Sequence, residues 1–137
     1  MNQSEIECQI ACQRLVVASY SLMDLGQYPE TAALFCVDGM WLRGGKPYTG
    51  HEAILASLNE RSPDDTSRHL ITNILVTQHG EDEAEATAMF VPLRGKHAED
   101  GMVPMAPPAM IGQLAYQFRR EGGAWKISAL RPRPLFK

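Results

Sequence analysis

No stretch of this chain approaches the roughly 20 consecutive apolar residues that a membrane-spanning helix needs, so no membrane span is expected. The opening residues MNQSEIECQ carry two glutamates and no apolar h-region, so a secretory signal is not expected and a cytoplasmic location is. Cysteine is scarce and odd in number. Cys8, Cys12 and Cys36 cannot all pair within one chain, and they read as small apolar residues in a reducing compartment. A zinc site would need further ligands at recognisable spacing, which His51, His79 and His97 do not supply, so no metal is expected. There is no basic stripe either: the net charge is -3, and the only dense basic cluster is the terminal RPRPLFK. Nucleic acid is therefore not an expected partner. Neither a glycine-rich dinucleotide fingerprint nor a phosphate loop is present, and no cofactor is expected.

What is there is ordinary globular material. The 137 residues, 45% hydrophobic and 21% charged, suit one domain spanning 1–137 with a substantial core. Residues 4–25 repeat apolar side chains at helical spacing (Ile6, Ile10, Leu15, Val16, Ala18, Leu22, Leu25). Ser4 with Glu7 fits a capping box, and Gly26 supplies the stop. Pro29 suits the first turn of a short second helix, PETAALFC. Asp38-Gly39 is expected to turn, MWLRG to be a short strand, KPYTG a loop, and HEAILASLNER a third helix. The rest alternates as strands, SRHLITNILVTQ, EAEATAMFVPLRG, PAMIGQLAYQFRRE and GAWKISALRPR, expected to pair as an antiparallel meander. Their middle connection, KHAEDGMVPMAPP, is long for a hairpin, as lids and binding loops often are. Helices first and strands afterwards predict an α+β domain, three helices packed on one face of a bent, mostly antiparallel sheet. In the first of these four strand segments, alternation places His69, Ile71 and Asn73 on one face of the strand.

The order LMDLGQY, LFCVDGMW, YTGHEAI, SRHLITN, a glycine-bearing strand and GGAWKI resembles the SnoaL-like proteins over about Ile6 to Arg131. Their superfamily includes nuclear transport factor, ketosteroid isomerase, scytalone dehydratase and the small subunits of ring-hydroxylating dioxygenases. The resemblance implies a conical, cystatin-like α+β barrel with one deep, mostly apolar pocket, and a homodimer formed through the exposed sheet face. It also implies that Asp24 and His69 form an acid–base pair and that Asn73 matches an asparagine common in the family. Three positions depart from the pattern: Ser19 stands where many members have tyrosine, and Leu114 and Tyr116 stand where many have a tyrosine and an acid.

An imidazole, with an ordinary pKa of about 6.5, exchanges protons near neutrality, and a carboxylate on its far nitrogen fixes the tautomer. Such a pair in an apolar pocket could abstract a proton beside a carbonyl or a leaving group. Tyr20, one turn before Asp24, is a candidate to present its hydroxyl to a ligand, Trp41 to form a pocket wall and Tyr116 to hydrogen-bond a ligand. Met89, Met102, Met105 and Met110 are candidates for an adaptable apolar lining. The function expected is a cofactor-independent lyase or isomerase acting on a small hydrophobic, cyclic or aromatic molecule. The alternative is a non-catalytic ligand-binding protein or an assembly subunit. In that case Asp24 is a solvated surface charge and His69 a satisfied core histidine.

Overall fold

The computed structural model describes residues 1–137, in the order α1 (Gln3–Asp24), α2 (Tyr28–Ala32), β1 (Phe35–Arg43), β2 (Lys46–Thr49), α3 (His51–Asn59), β3 (Asp65–His79), β4 (Glu83–Lys96), β5 (Ile111–Glu121) and β6 (Ala124–Phe136). The six strands form one sheet in the order β2-β1-β6-β5-β4-β3. All neighbours are antiparallel except β1 and β6, which run parallel. The expected meander is β3 to β6, and the α+β class holds. The sheet is open, with β2 and β3 as its edges, so the barrel is not closed. No helix is long and apolar enough to cross a membrane.

α1 buries a stripe different from the one its isoleucines mark. Cys8, Cys12, Leu15, Val16, Ser19, Tyr20 and Met23 face the sheet at spacings of three and four, whereas Ile6, Ile10 and Leu25 are exposed. The cysteines are free and fully buried, with their sulfurs 3.9 Å apart. The N-cap is Asn2, whose side chain accepts from the amide of Glu5 at 2.9 Å; the expected Ser4–Glu7 box does not form. Gly26, at φ 76°, ends the helix as expected, and the amide of Gln27 bonds back to the carbonyl of Leu22.

The region after α1 is more extended than its residue types imply. α2 ends at Ala32, and Asp38-Gly39 lies inside β1, where the register to β6 shifts between Phe35 and Met40. A side chain at Gly39 would meet the carbonyl oxygen of Ile127 at 2.8 Å, so this glycine permits close contact between strands in place of a turn. Lys46–Thr49, expected as loop, pairs with β1 as an edge strand.

The core lies between the helices and the inner sheet face, with Trp41, Tyr116, Phe35, Phe118, Ile54 and Leu58 almost wholly buried. Register shifts also occur in β3, between Thr72 and Leu75, and between β5 and β6. Bulges of this kind bend strands and increase their twist, which lets the long strands wrap the helices.

Candidate active site

The end of α1 and the edge strand β3 bring two predicted residues together. Asp24 is the last residue of its helix. A carboxylate there opposes the helix macrodipole, so its retention calls for donors from elsewhere. β3 supplies them. Ser67 Oγ donates to Asp24 Oδ1 at 2.7 Å, and His69 Nδ1 lies 2.8 Å from the same oxygen. The backbone amide of His69 donates to Asp24 Oδ2 at 2.8 Å. Because β3 is an edge, its outward amides have no neighbouring strand, and the carboxylate takes one of them. Burial alone would raise the Asp24 pKa, but the bonds from His69 and Ser67 outweigh it and hold the carboxyl below its ordinary range. The Asp24 side chain is only 4% exposed and that of His69 12%.

With Nδ1 on the carboxylate, Nε2 of His69 makes no hydrogen bond within the protein, and the residue lines a cavity of about 770 Å³. Tyr20 packs on the imidazole with ring centroids 4.6 Å apart and meets Trp41 edge-on at 5.6 Å. Phe90 lies tilted against Tyr20 at 5.7 Å and stacks parallel to the imidazole of His69 at 6.1 Å. Gly112 makes room for it: a side chain there would come within 2.4 Å of the Phe90 ring. Tyr20 and Trp41 both line the cavity, and burial pushes the Tyr20 hydroxyl far above its ordinary pKa. The loop after β4 closes another side through Val103 to Met110. Of the four methionines considered, Met105 and Met110 line the space, and Met89 and Met102 do not.

Two expected ligand contacts lie elsewhere. Asn73 is exposed, at φ 56°, within the β3 bulge, and its Oδ1 accepts from Thr72 Oγ1 at 2.9 Å. Alternation fails there. The inward residues are Ser67, His69 and Ile71 before the bulge but Ile74, Val76 and Gln78 after it, so Asn73 does not share the His69 face. Tyr116 is sealed in the core, 2.7 Å from Ser19 Oγ, and is not part of the cavity wall. The family tyrosine position on α1 and the late-strand position are here a buried hydroxyl pair.

The sequence reading also passed over residues that the fold makes important. Ser67 lies two positions before His69, and strand alternation alone would have placed it on the same face. Arg43 and Arg61 line the cavity too, and no local pattern announces them. Arg61 donates to the Met23 carbonyl at 3.0 Å and to Ser67 Oγ. Arg43 lies over the Trp41 ring at 4.9 Å and donates to Met23 Sδ at 3.3 Å. Burial, and behind it the charge of Arg61, draws Arg43 below the ordinary guanidinium range, though an arginine stays charged at neutral pH. One group of potential metal ligands exists, Cys36, Asp38 and Glu121, away from the cavity. Asp38 is engaged by Arg119 at 2.6 Å and Glu121 by the amide of Val37 at 3.1 Å, which accounts for both carboxylates structurally.

A family model described as a SnoaL-like domain matches residues 4–131. Among solved structures, a provisionally assigned scytalone dehydratase of Novosphingobium aromaticivorans superposes with a TM-score of 0.80 at 20% identity, over 99% of this chain and 89% of its own. An NTF2-like protein with a cystatin-like fold from the same organism gives 0.79 at 20% identity, over 95% and 83%. A protein of Catenulispora acidiphila in complex with S-DNPA gives 0.71 at 22% identity, over 90% of each chain. Likeness at these identities is one of fold, and a fold hosts many activities. Among curated proteins, none matches.

Proposed function

The chain belongs to the SnoaL-like family, and on that premise we propose that it is a cofactor-independent lyase or isomerase of dehydratase or cyclase type. Its acid–base pair is Asp24 and His69, and its substrate is a small hydrophobic cyclic or aromatic molecule. The observation that carries this reading is the 2.8 Å bond between Asp24 Oδ1 and His69 Nδ1, made at the wall of a cavity large enough for such a molecule. A provisionally assigned scytalone dehydratase of the same fold adds weight to the dehydratase form.

The bond to Asp24 fixes the hydrogen on Nδ1 and leaves the Nε2 lone pair as the base. Nε2 takes a proton from a substrate carbon, and the Asp24 carboxylate stabilises the imidazolium that results. The same proton then goes to a departing hydroxyl, completing an elimination, or to a second carbon, completing an isomerisation. Tyr20, Trp41 and Phe90 exclude water from this exchange, which strengthens each electrostatic contact within it.

Proton abstraction can be read without knowing the natural substrate. Incubation in deuterated water with a panel of cyclic and aromatic carbonyl compounds should give enzyme-dependent deuterium uptake by NMR. His69→Ala should lower that rate by about a hundred- to ten-thousand-fold, with the melting temperature nearly unchanged. An unaltered exchange rate in this variant would refute the assignment of the base.

A further inference from the structure

The cavity wall carries an imbalance of charge that proton transfer does not use. Among its 24 residues are four arginines, Arg43, Arg61, Arg68 and Arg94, and not one aspartate or glutamate. Two of the four have explanations in the fold. Arg94 is exposed and lies 3.7 Å from Asp65, and Arg68 is exposed and bonds the carbonyls of Ser67 and Asp24 at 2.6 and 3.3 Å. Arg43 and Arg61 are half-buried, and neither forms an ion pair. Arg61 spends its donors on neutral oxygens. Arg43 bonds only a thioether sulfur and leaves the remaining donors of its planar fork without an oxygen partner. The nearby carboxylate, Asp24, is already committed to Ser67 and His69.

A half-buried charge without a counter-ion is costly, and two of like sign on one wall more so. Such an arrangement is stable in use when the ligand brings the missing charge. We propose that Arg43, supported by Arg61, binds a carboxylate of the substrate, so that the molecule handled at His69 is a small organic acid with an apolar body. A guanidinium held over the Trp41 ring offers two parallel N–H donors, a geometry that the two oxygens of a carboxylate match and a lone hydroxyl does not. Tyr20 bridges the two functions, touching Trp41 on one side and the imidazole on the other. The acid group would therefore hold the apolar ring against Tyr20 and Phe90, with its reactive carbon toward Nε2. This assignment of substrate class rests on the catalytic reading given above, but its test requires no turnover.

The test is binding of 1-naphthoate and of its neutral isostere 1-naphthamide to the full chain, by calorimetry. The expected result is a preference for naphthoate of about tenfold or more, as a charge-assisted bidentate contact provides. In Arg43→Met that preference should fall to within about twofold while naphthamide affinity is kept; Arg43→Lys, which retains charge without the fork, should fall between. His69→Asn should keep the full preference, so failure of the acid–base reading would leave this one standing, and the reverse. Equal binding of both probes to the wild-type protein would overturn the proposal even if the Arg43 variants failed to fold. An undiminished preference in Arg43→Met, or inorganic phosphate binding more tightly than naphthoate, would overturn it as well.

Discussion

Two side-chain bridges tie α1 to the sheet from positions five residues apart on the helix. Ser19 meets Tyr116 at 2.7 Å, and Asp24 meets His69 at 2.8 Å. The lengths hardly differ, but the surroundings do. The Ser19 hydroxyl also donates to the Val16 carbonyl, Tyr116 is 1% exposed, and burial keeps its hydroxyl protonated far beyond neutral pH. That pair is neutral, enclosed and internally satisfied. The second pair is ionisable, and one imidazole nitrogen is left to the cavity. A short helix-to-sheet hydrogen bond is therefore no sign of chemistry by itself. What separates a candidate catalyst from a clamp is a group that can change charge, with one valence turned toward a space a ligand can enter.

The contrast can be broken by three substitutions or conditions, beginning with the largest effect. Asp24→Asn should reduce deuterium exchange by about a hundredfold or more, the scale of a positioned acid–base partner, because an amide neither fixes the tautomer equally nor stabilises an imidazolium. Full activity in that variant would erase the distinction between the two bridges. Tyr116→Phe should leave exchange untouched and cost about 1 kcal/mol, the usual net worth of one hydrogen bond, read from denaturant melts. A tenfold fall in exchange would instead make the core pair part of the chemistry. The smallest effect is the acid limb of stability. The folded pKa of Asp24 lies below its ordinary value of 3.8, so the unfolded chain binds the extra proton first on acidification. The stabilisation is complete above the ordinary value and is lost as pH falls through the folded one. Wild type and Asp24→Asn should thus converge in stability at the acid end of a pH series, and parallel curves would contradict the lowered pKa.

The parts of this architecture that were legible in sequence are those set by local chemistry. Gly26 stops a helix because its positive φ favours glycine, and the four late strands alternate through a sheet buried on one side. The Asp24–His69 contact was legible only through family resemblance, since the two are 45 residues apart and nothing local joins them. Local patterns misled where packing decided. Cysteines displaced isoleucines from the inner face of α1, and an Asp-Gly pair served a strand contact in β1. Arg43 and Arg61 had no local signature because a charged side chain beside a cavity reads the same in sequence as one in solvent. Tyr116 was read as a ligand contact because strand alternation assigns a face but not the depth of the residue behind it.

The left-handed kink at Asn73 reverses the parity of β3, with odd residues inward before it and even residues inward after it. The strand is thus two rulers joined out of phase. Its far half, where Val76 accepts from the Gln9 side chain of α1, can trade residues to adjust how firmly the helix is held. Such changes leave the orientation of Ser67 and His69 as it is. Loss of one residue at the joint would remove the kink and keep Ile74 and Val76 inward, whereas straightening the strand with every residue kept would turn Val76 to the solvent and present polar Thr77 to the helix.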